Sequence, residues 1–181
     1  MPALSDSGFR TGCTMMLSAP RLLYSRNFVF LLLAVLTSDQ LSKSWALSAL
    51  FANGNQIVVT PFLNFTPVWN PGISFGMLAD FPQVTGYAIP AFAVLVVIWL
   101  YFQLDQLIVI QRLGAGLIAG GALGNVIDRL RFNKVVDFID FHLLGYHWPA
   151  FNIADSAIFI GVVAWLYGIM VTPKSEGDTH A

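Results

Sequence analysis

Four long apolar stretches constrain the fold of this chain more than any other feature of its sequence. A helix needs about 20 mainly apolar residues to cross the hydrocarbon core of a bilayer, and such stretches lie at about residues 27–50, 84–102, 108–127 and 152–171. Only 10% of the residues are charged, whereas soluble domains hold about 25%. Barrel strands would be shorter and alternating. The sequence therefore predicts an α-helical integral membrane protein with four transmembrane helices in one domain, residues 27–172.

The lysines and arginines outside these stretches predict how the helices are oriented, because positive residues favour the cytoplasmic side. One side carries Arg10, Arg21, Arg26 and Lys174, with Arg112 able to reach it, and the other carries Arg131 and Lys134, with Lys43 and Arg129 at helix ends. We expect both termini in the cytoplasm, as a polar extension of residues 1–26 and a tail of residues 173–181. The extension lacks the apolar core of a cleavable signal peptide.

Two connections between the stretches are rich in apolar residues. Residues 53–80 include Asn53-Gly54, a turn signal of β-hairpins, followed by runs rich in valine, phenylalanine and tryptophan. They predict a small extracytoplasmic β-element at the membrane interface, where aromatic residues are common. Residues 131–150 are amphipathic, and we expect this periplasmic segment to lie along the membrane surface.

Glycines and polar residues interrupt the apolar stretches. Gly116, Gly120 and Gly124 recur every four residues, which predicts one helix face cleared for close packing. Gly121 lies off that row and can leave room for a ligand. The polar residues all lie toward the predicted extracytoplasmic ends, and they are Asp39, Gln40, Lys43, Asn125, Asp128, Arg129, Asn152 and Asp155. They can serve as contacts between helices or form a site.

The spacing of these residues favours particular pairs. Asp39 precedes Lys43 by four residues, a favourable order for an ion pair within a helix. Asp155 has no basic residue nearby in its own helix, so it needs a partner from elsewhere. Lys43, Arg129 or a second carboxyl group can fill that role, and the nearest carboxyl groups in sequence are Asp137 and Asp140.

Two carboxyl groups held close together cannot both ionise cheaply, so they can share a proton and hold a water. Such a pair hydrolyses a peptide bond without a metal. Other chemistries fit less well. Ser74 lies in a G-x-S-x-G pattern but in a short interfacial loop rather than a strand–turn–helix. His142 and His147 lack the zinc-binding H-E-x-x-H spacing, and the single cysteine, Cys13, excludes an internal disulfide.

The polar motifs together resemble those of lipoprotein signal peptidase, also called signal peptidase II or prolipoprotein signal peptidase. The matching motifs, within residues 25–172, are DQLSK (39–43), FTPVWNPGISFG (65–76), GGALGNVIDR (120–129), VVDF (135–138) and FNIADSAI (151–158). The resemblance implies an aspartic endopeptidase of the bacterial cytoplasmic membrane, with its site toward the extracytoplasmic face. It would cleave the signal peptide from prolipoproteins just before a cysteine that carries a diacylglyceryl group.

The resemblance also implies roles for particular residues. Asp137 and Asp155 would be the catalytic pair and Asp140 a bystander. Substrate-binding or supporting positions would be Asp39, Lys43, Asn70, Gly121, Asn125, Asp128, Arg129, Asn152 and Ala154. We expect no cofactor, no metal and no nucleic-acid partner. The expected partners are prolipoproteins with a lipidated cysteine and membrane lipid, and the expected state is a monomer.

Two other classes of protein also place acidic residues in a membrane. A small proton-coupled transporter or channel does so, although such proteins commonly have inverted repeats and interrupted helices, which this sequence lacks. A non-catalytic assembly factor is the other alternative. It would tolerate the loss of either aspartate as long as its fold survived.

Overall fold

The computed structural model describes residues 19–72, 80–81 and 83–172. Within these ranges the α-helices are α1 (Ala19–Ala46), α2 (Ile89–Gln103), α3 (Val109–Phe132) and α4 (Ile153–Val171). Short helical segments of other pitch extend α1 at Leu47–Phe51, precede α2 at Val84–Ala88 and follow it at Leu104–Gln106. The strands are β1 (Ile57–Thr60), β2 (Leu63–Asn70), β3 (Val135–Leu143) and β4 (Tyr146–His147).

Three helical segments of the described ranges are long and apolar enough to cross a membrane, namely Arg21–Phe51, Val84–Gln106 and Ile153–Val171. They correspond to the first, second and fourth predicted stretches. The third, α3, has 24 residues, but its glycines and polar residues lower its hydropathy. α1 begins at Ala19, so residues 19–26, which were predicted as part of a polar extension, are helical.

The ends of the helices follow from their local sequence. Asn152 caps the first turn of α4 by accepting a hydrogen bond from the Asp155 amide, as polar residues at this position do. α3 continues five residues beyond its predicted end at residue 127 and stops at Asn133, whose φ of 55° is left-handed. Asparagine tolerates that conformation better than most residues.

The strands form one antiparallel sheet in the order β1-β2-β3-β4. The predicted β-element at residues 53–80 therefore contains β1 and β2, and residues 73–79 lie outside the described part. The amphipathic segment at residues 131–150 contains β3 and β4, and β3 pairs with β2 along its length, for example Asp137 with Val68 and Asp140 with Asn64. Its expected position along the membrane surface stays a prediction. Pairing satisfies the backbone polar groups of the segment.

Glycines of α3 allow close packing on both sides of this helix. A Cβ atom on Gly116 would lie 2.9 Å from the Leu31 Cβ, and one on Gly120 would lie 2.7 Å from the Leu32 carbonyl of α1. The predicted packing role of this row is confirmed. Gly121 faces α4, where a Cβ atom would collide with the Ala154 carbonyl. The space beside Gly121 is thus filled by a helix and not left open for a ligand.

Candidate active site

β3 and the start of α4 are joined by backbone hydrogen bonds that bring their aspartates together. The Phe138 and Ile139 amides donate to the Phe151 carbonyl at 3.1 and 2.9 Å, and the Phe151 amide donates to the Ile139 carbonyl at 3.1 Å. These bonds fix the chain just after Asp137 against the chain just before α4. Asp155 lies in the first turn of that helix.

Asn152 connects the two carboxyl groups directly. Its Nδ2 donates to Asp137 Oδ1 at 2.7 Å, and its Oδ1 accepts from the Asp155 amide at 2.9 Å. In return, Asp155 Oδ2 accepts a hydrogen bond from the backbone amide of Asn152 at 3.3 Å. This reciprocal pair is a capping box. One fully buried side chain therefore sets the position of both aspartates.

Two further asparagines complete the contacts of the carboxyl groups. Asn125 of α3 donates to Asp155 Oδ1 at 2.8 Å, and Asn70 at the end of β2 donates to Asp137 Oδ2 at 2.9 Å. Each carboxyl group is thus held by amide donors that carry no charge. Of the partners that the sequence left open for Asp155, neither Lys43 nor Arg129 forms an ion pair with it in the described part of the chain.

Lys43 lies at the centre of a second buried cluster behind the carboxyl groups. Its Nζ contacts Asp39 Oδ2 and Asp128 Oδ2, both at 2.9 Å, and donates to Asn125 Oδ1 at 3.0 Å. The predicted Asp39–Lys43 ion pair is therefore present. Gln40, which the sequence analysis gave no role of its own, donates to both acids of the cluster, at 3.2 and 3.3 Å.

The two acids of this cluster hold the backbone next to each aspartate of the pair. Asp128 Oδ2 accepts a hydrogen bond from the Val136 amide at 3.1 Å, and Asp39 Oδ1 accepts one from the Ala154 amide at 2.9 Å. These residues immediately precede Asp137 and Asp155. Lys43 thus supports the aspartate pair through two symmetrical backbone contacts.

The electrostatics of Asp137 differ from those of an ordinary carboxyl group. Burial raises the pKa of Asp137 to about 7, and the nearby charge of Asp155 contributes to the increase, against the hydrogen bonds from Asn70 and Asn152. A carboxyl group that retains its proton near neutral pH can donate it. Asp155 lies in the first turn of α4, beside this carboxyl group.

Asp140 lies three residues further along β3 and has different neighbours. It contacts His147 Nδ1 at 2.8 Å and Thr66 Oγ1 at 3.1 Å. Burial raises the pKa of Asp140, but the hydrogen bonds from His147, Thr66 and Asn64 outweigh this effect and lower it. Asp140 is therefore a carboxylate that holds the sheet together, apart from the Asp137–Asp155 pair. His147 is half exposed, and its ring stacks on that of His142.

Arg129 orients the chain after β2. Its Nη2 donates to the Gly72 carbonyl at 3.0 Å, and the Gly72 amide donates to Asn70 Oδ1 at 3.0 Å. This chain of contacts reaches Asp137 through Asn70. No residue type or spacing in the sequence indicates the roles of Gly72 and Val136, because both act through backbone groups. Ser74 and Cys13 lie outside the described residues.

The structure thus gathers the predicted site residues around one pair of carboxyl groups. Comparison with known proteins shows which family has a similar sequence. The family model described as Signal peptidase (SPase) II matches residues 31–171. The lipoprotein signal peptidase of Burkholderia mallei is 45% identical over 141 residues, which cover 75% of this chain and 82% of the relative. That of Syntrophotalea carbinolica is 43% identical over 142 residues, covering 74% and 86%.

A solved structure is similar as well. It is described as a bacterial membrane enzyme determined by the in meso method at 2.3 Å resolution, and it has 28% sequence identity and a TM-score of 0.71. The match covers 85% of this chain and 93% of that protein. The chain belongs to the signal peptidase II family of peptidases.

Proposed function

We propose that this peptidase removes the signal peptide from diacylglyceryl-modified prolipoproteins, cutting just before the lipidated cysteine, with Asp137 and Asp155 as its catalytic residues. The observation that carries the proposal is the bridge through Asn152, which is hydrogen-bonded to both carboxyl groups, that of the buried Asp137 and that of the partly buried Asp155. The raised pKa of Asp137, about 7, provides an acid beside a carboxylate. General acid–base catalysis needs that combination.

The reaction follows from the different environments of the two aspartates. A water bound between them gives a proton to the Asp155 carboxylate as its oxygen bonds to the carbonyl carbon of the scissile peptide. Asp137 donates its proton to the carbonyl oxygen at the same time. When the C–N bond breaks, Asp155 protonates the leaving amine of the cysteine. Asp137 then recovers its proton from the hydroxyl group of the intermediate, which restores the starting state.

The supporting residues would keep this geometry fixed. Asn125 donates to Asp155 Oδ1 and Asn70 to Asp137 Oδ2, while Arg129 holds the carbonyl of Gly72, whose amide in turn donates to Asn70. Catalytic groups that are already in place avoid the cost of ordering them during the reaction.

The arrangement of the helices supports a site near one membrane face. We propose that α3, packed between α1 and α4, also crosses the membrane, which gives four transmembrane helices. Both termini would lie in the cytoplasm of a bacterium, and the aspartates would lie toward the extracytoplasmic face of its inner membrane. A signal peptide is an apolar helix, so the enzyme meets it within the bilayer. The diacylglyceryl group would hold the scissile bond near the outer interface.

The sheet provides an aromatic cover beside the site. Trp69 of β2 remains 39% exposed and packs against Phe51 and Phe132 at ring distances of 4.8 and 5.4 Å. Phe65 instead packs inward against Trp45 and Phe138. Trp69 is therefore the more accessible of the two rings, whereas Phe65 supports the sheet, and we propose that Trp69 contacts the substrate.

The deciding experiment is a cleavage assay on a diacylglyceryl-modified prolipoprotein in detergent or lipid. We expect Asp137→Asn and Asp155→Asn to abolish cleavage, because each loses one proton-transfer group. The matched control is Asp140→Asn, which removes a carboxylate from the same strand and should remain active. All three variants are first checked for folding. Cleavage by both the 137 and 155 variants would rule out the aspartate mechanism.

A further inference from the structure

A cavity of about 170 Å³ opens between α1 and α3 at the end of the helices away from the aspartates. Arg112, in its wall, precedes Asn125 on the same helix by about 20 Å at the α-helical rise per residue. The walls of this α1–α3 cavity are mainly apolar and include Leu23, Leu31 and Leu113. Its polar side chains are those of Tyr24, Asn27 and Arg112.

Two contacts fix the side chain of Arg112 in this cavity, and no carboxylate of the described residues pairs with it. Its guanidinium carbon lies 3.4 Å from the centre of the Tyr24 ring, and its Nε donates to the Leu104 carbonyl at 3.0 Å. Within residues 19–72, 80–81 and 83–172, neither of its terminal nitrogens has a protein acceptor. Asp105, the residue after Leu104, pairs with Arg21 at 3.1 Å instead. Among the residues that the structure describes, the positive charge of Arg112 is therefore not neutralised by an ion pair.

The chemistry of the cavity defines its ligand. The two fixed terminal nitrogens of a guanidinium match two oxygens of a phosphate. The apolar walls formed by Leu31 and Leu113 match a hydrocarbon chain, which free phosphate does not have. Basic pockets between membrane helices are suited to lipid headgroups. A ligand with one anionic phosphate and an attached acyl chain satisfies both parts.

We propose that the α1–α3 cavity binds one anionic glycerophospholipid, with its phosphate on Arg112 and an acyl chain along Leu31 and Leu113. In the proposed topology this lipid belongs to the cytoplasmic leaflet, opposite the leaflet that presents the substrate. Binding a lipid there would join α1 to α3 far from the aspartates. The site is independent of the peptidase reaction.

The test measures lipids bound to the purified full chain by native mass spectrometry. The probes are phosphatidylglycerol and phosphatidylcholine with identical acyl chains, titrated in detergent. We expect one phosphatidylglycerol to be retained in preference to phosphatidylcholine. Arg112→Gln should weaken that binding by about tenfold, as for loss of a hydrogen bond to a charged group. The control Arg26→Gln removes an exposed charge from α1 outside the cavity and should have far less effect.

A second variant tests the cavity without changing its charge. Leu113→Trp fills the space beside Arg112 and should weaken phosphatidylglycerol binding even if Arg112→Gln folds poorly. Excess inorganic phosphate should not displace the lipid, because it makes no apolar contact. The proposal would be overturned by equal binding of the two lipids or by equal effects of the two arginine variants. It would also be overturned if Leu113→Trp bound phosphatidylglycerol as the wild type does, or if phosphate displaced the lipid. Since lipid is measured directly, failure of the cleavage assay would leave this result unchanged.

Discussion

Replacing Lys43 with methionine tests how far the aspartate pair depends on the buried cluster behind it. The side chains of Lys43, Asp39 and Asp128 are only 2%, 0% and 1% exposed. Methionine fills a similar volume but leaves two carboxylates buried without their cation. Breaking a buried ion pair by removing one partner costs about 3–5 kcal/mol, which is a large part of the roughly 5–15 kcal/mol that stabilises a typical protein.

This cost converts into a measurable change in melting temperature. For a chain of this size, 1 kcal/mol corresponds to about 2–4 °C, so Lys43→Met should lower the melting temperature in detergent by roughly 6–20 °C. Cleavage should fall more than the loss of folded protein explains, because the Val136 and Ala154 amides lose well-placed acceptors. Both quantities are measured on the same preparation, at a temperature where the variant remains folded.

Two further variants separate the buried charge from the loss of a side chain. Lys134→Met removes an exposed lysine and should leave the melting temperature nearly unchanged. Adding Asp39→Asn and Asp128→Asn to Lys43→Met removes the unpaired charges and should recover much of the lost stability. A melting temperature within about 2 °C of the wild type for Lys43→Met alone, less than 1 kcal/mol, would refute this account of the cluster.

Four more predictions concern the proton on Asp137, the bridge through Asn152, the packing of α3 against α4, and the exposed ring of Trp69. The cleavage rate should fall as pH rises through about 7, because Asp137 then loses the proton that it donates; a kcat/KM profile that is flat to pH 9 would contradict this. Asn152→Ala should reduce kcat by about 100-fold through misplacement of both carboxyl groups, and an unchanged kcat would exclude the bridge. Gly161→Ala would place a Cβ 2.7 Å from the Gly114 carbonyl and should cost about 1–3 kcal/mol in thermal unfolding, whereas unchanged stability would show that α3 and α4 separate easily. Trp69→Ala should raise KM for the lipidated substrate, and an unchanged KM would argue against the aromatic cover.

The sequence predicted contacts within one helix better than contacts between distant segments. Asp39 and Lys43 are one turn apart, so their ion pair follows from helical geometry. The contact of Lys43 with Asp128 depends on how α1 packs against α3, and residue spacing does not identify which two helices pack together. The glycine row on α3 indicated close packing, but it did not identify which partner lies against which glycine.

The sheet was harder to predict than the helices. The strand that carries Asp137 pairs with β2, which lies about 65 residues earlier in the chain. Antiparallel pairing between such distant segments leaves only an amphipathic pattern in the sequence. That pattern fits a surface segment equally well. The resemblance to a family distinguished Asp137 from Asp140, and the structure explains the difference, because only Asp137 is bonded to Asn152 at the start of α4.

The symmetrical contacts of Asp39 and Asp128 have a consequence for how the enzyme matures. The segments that carry Asp137 and Asp155 both come after α3 in the chain, but one of their two anchoring carboxylates and the cation between them belong to α1. A chain whose first helix has not yet packed against the others would lack a formed catalytic site. Activity would therefore require that α1 is already packed against the later helices. Residues 104–181 expressed alone should be inactive, and cleavage should return when residues 1–103 are co-expressed.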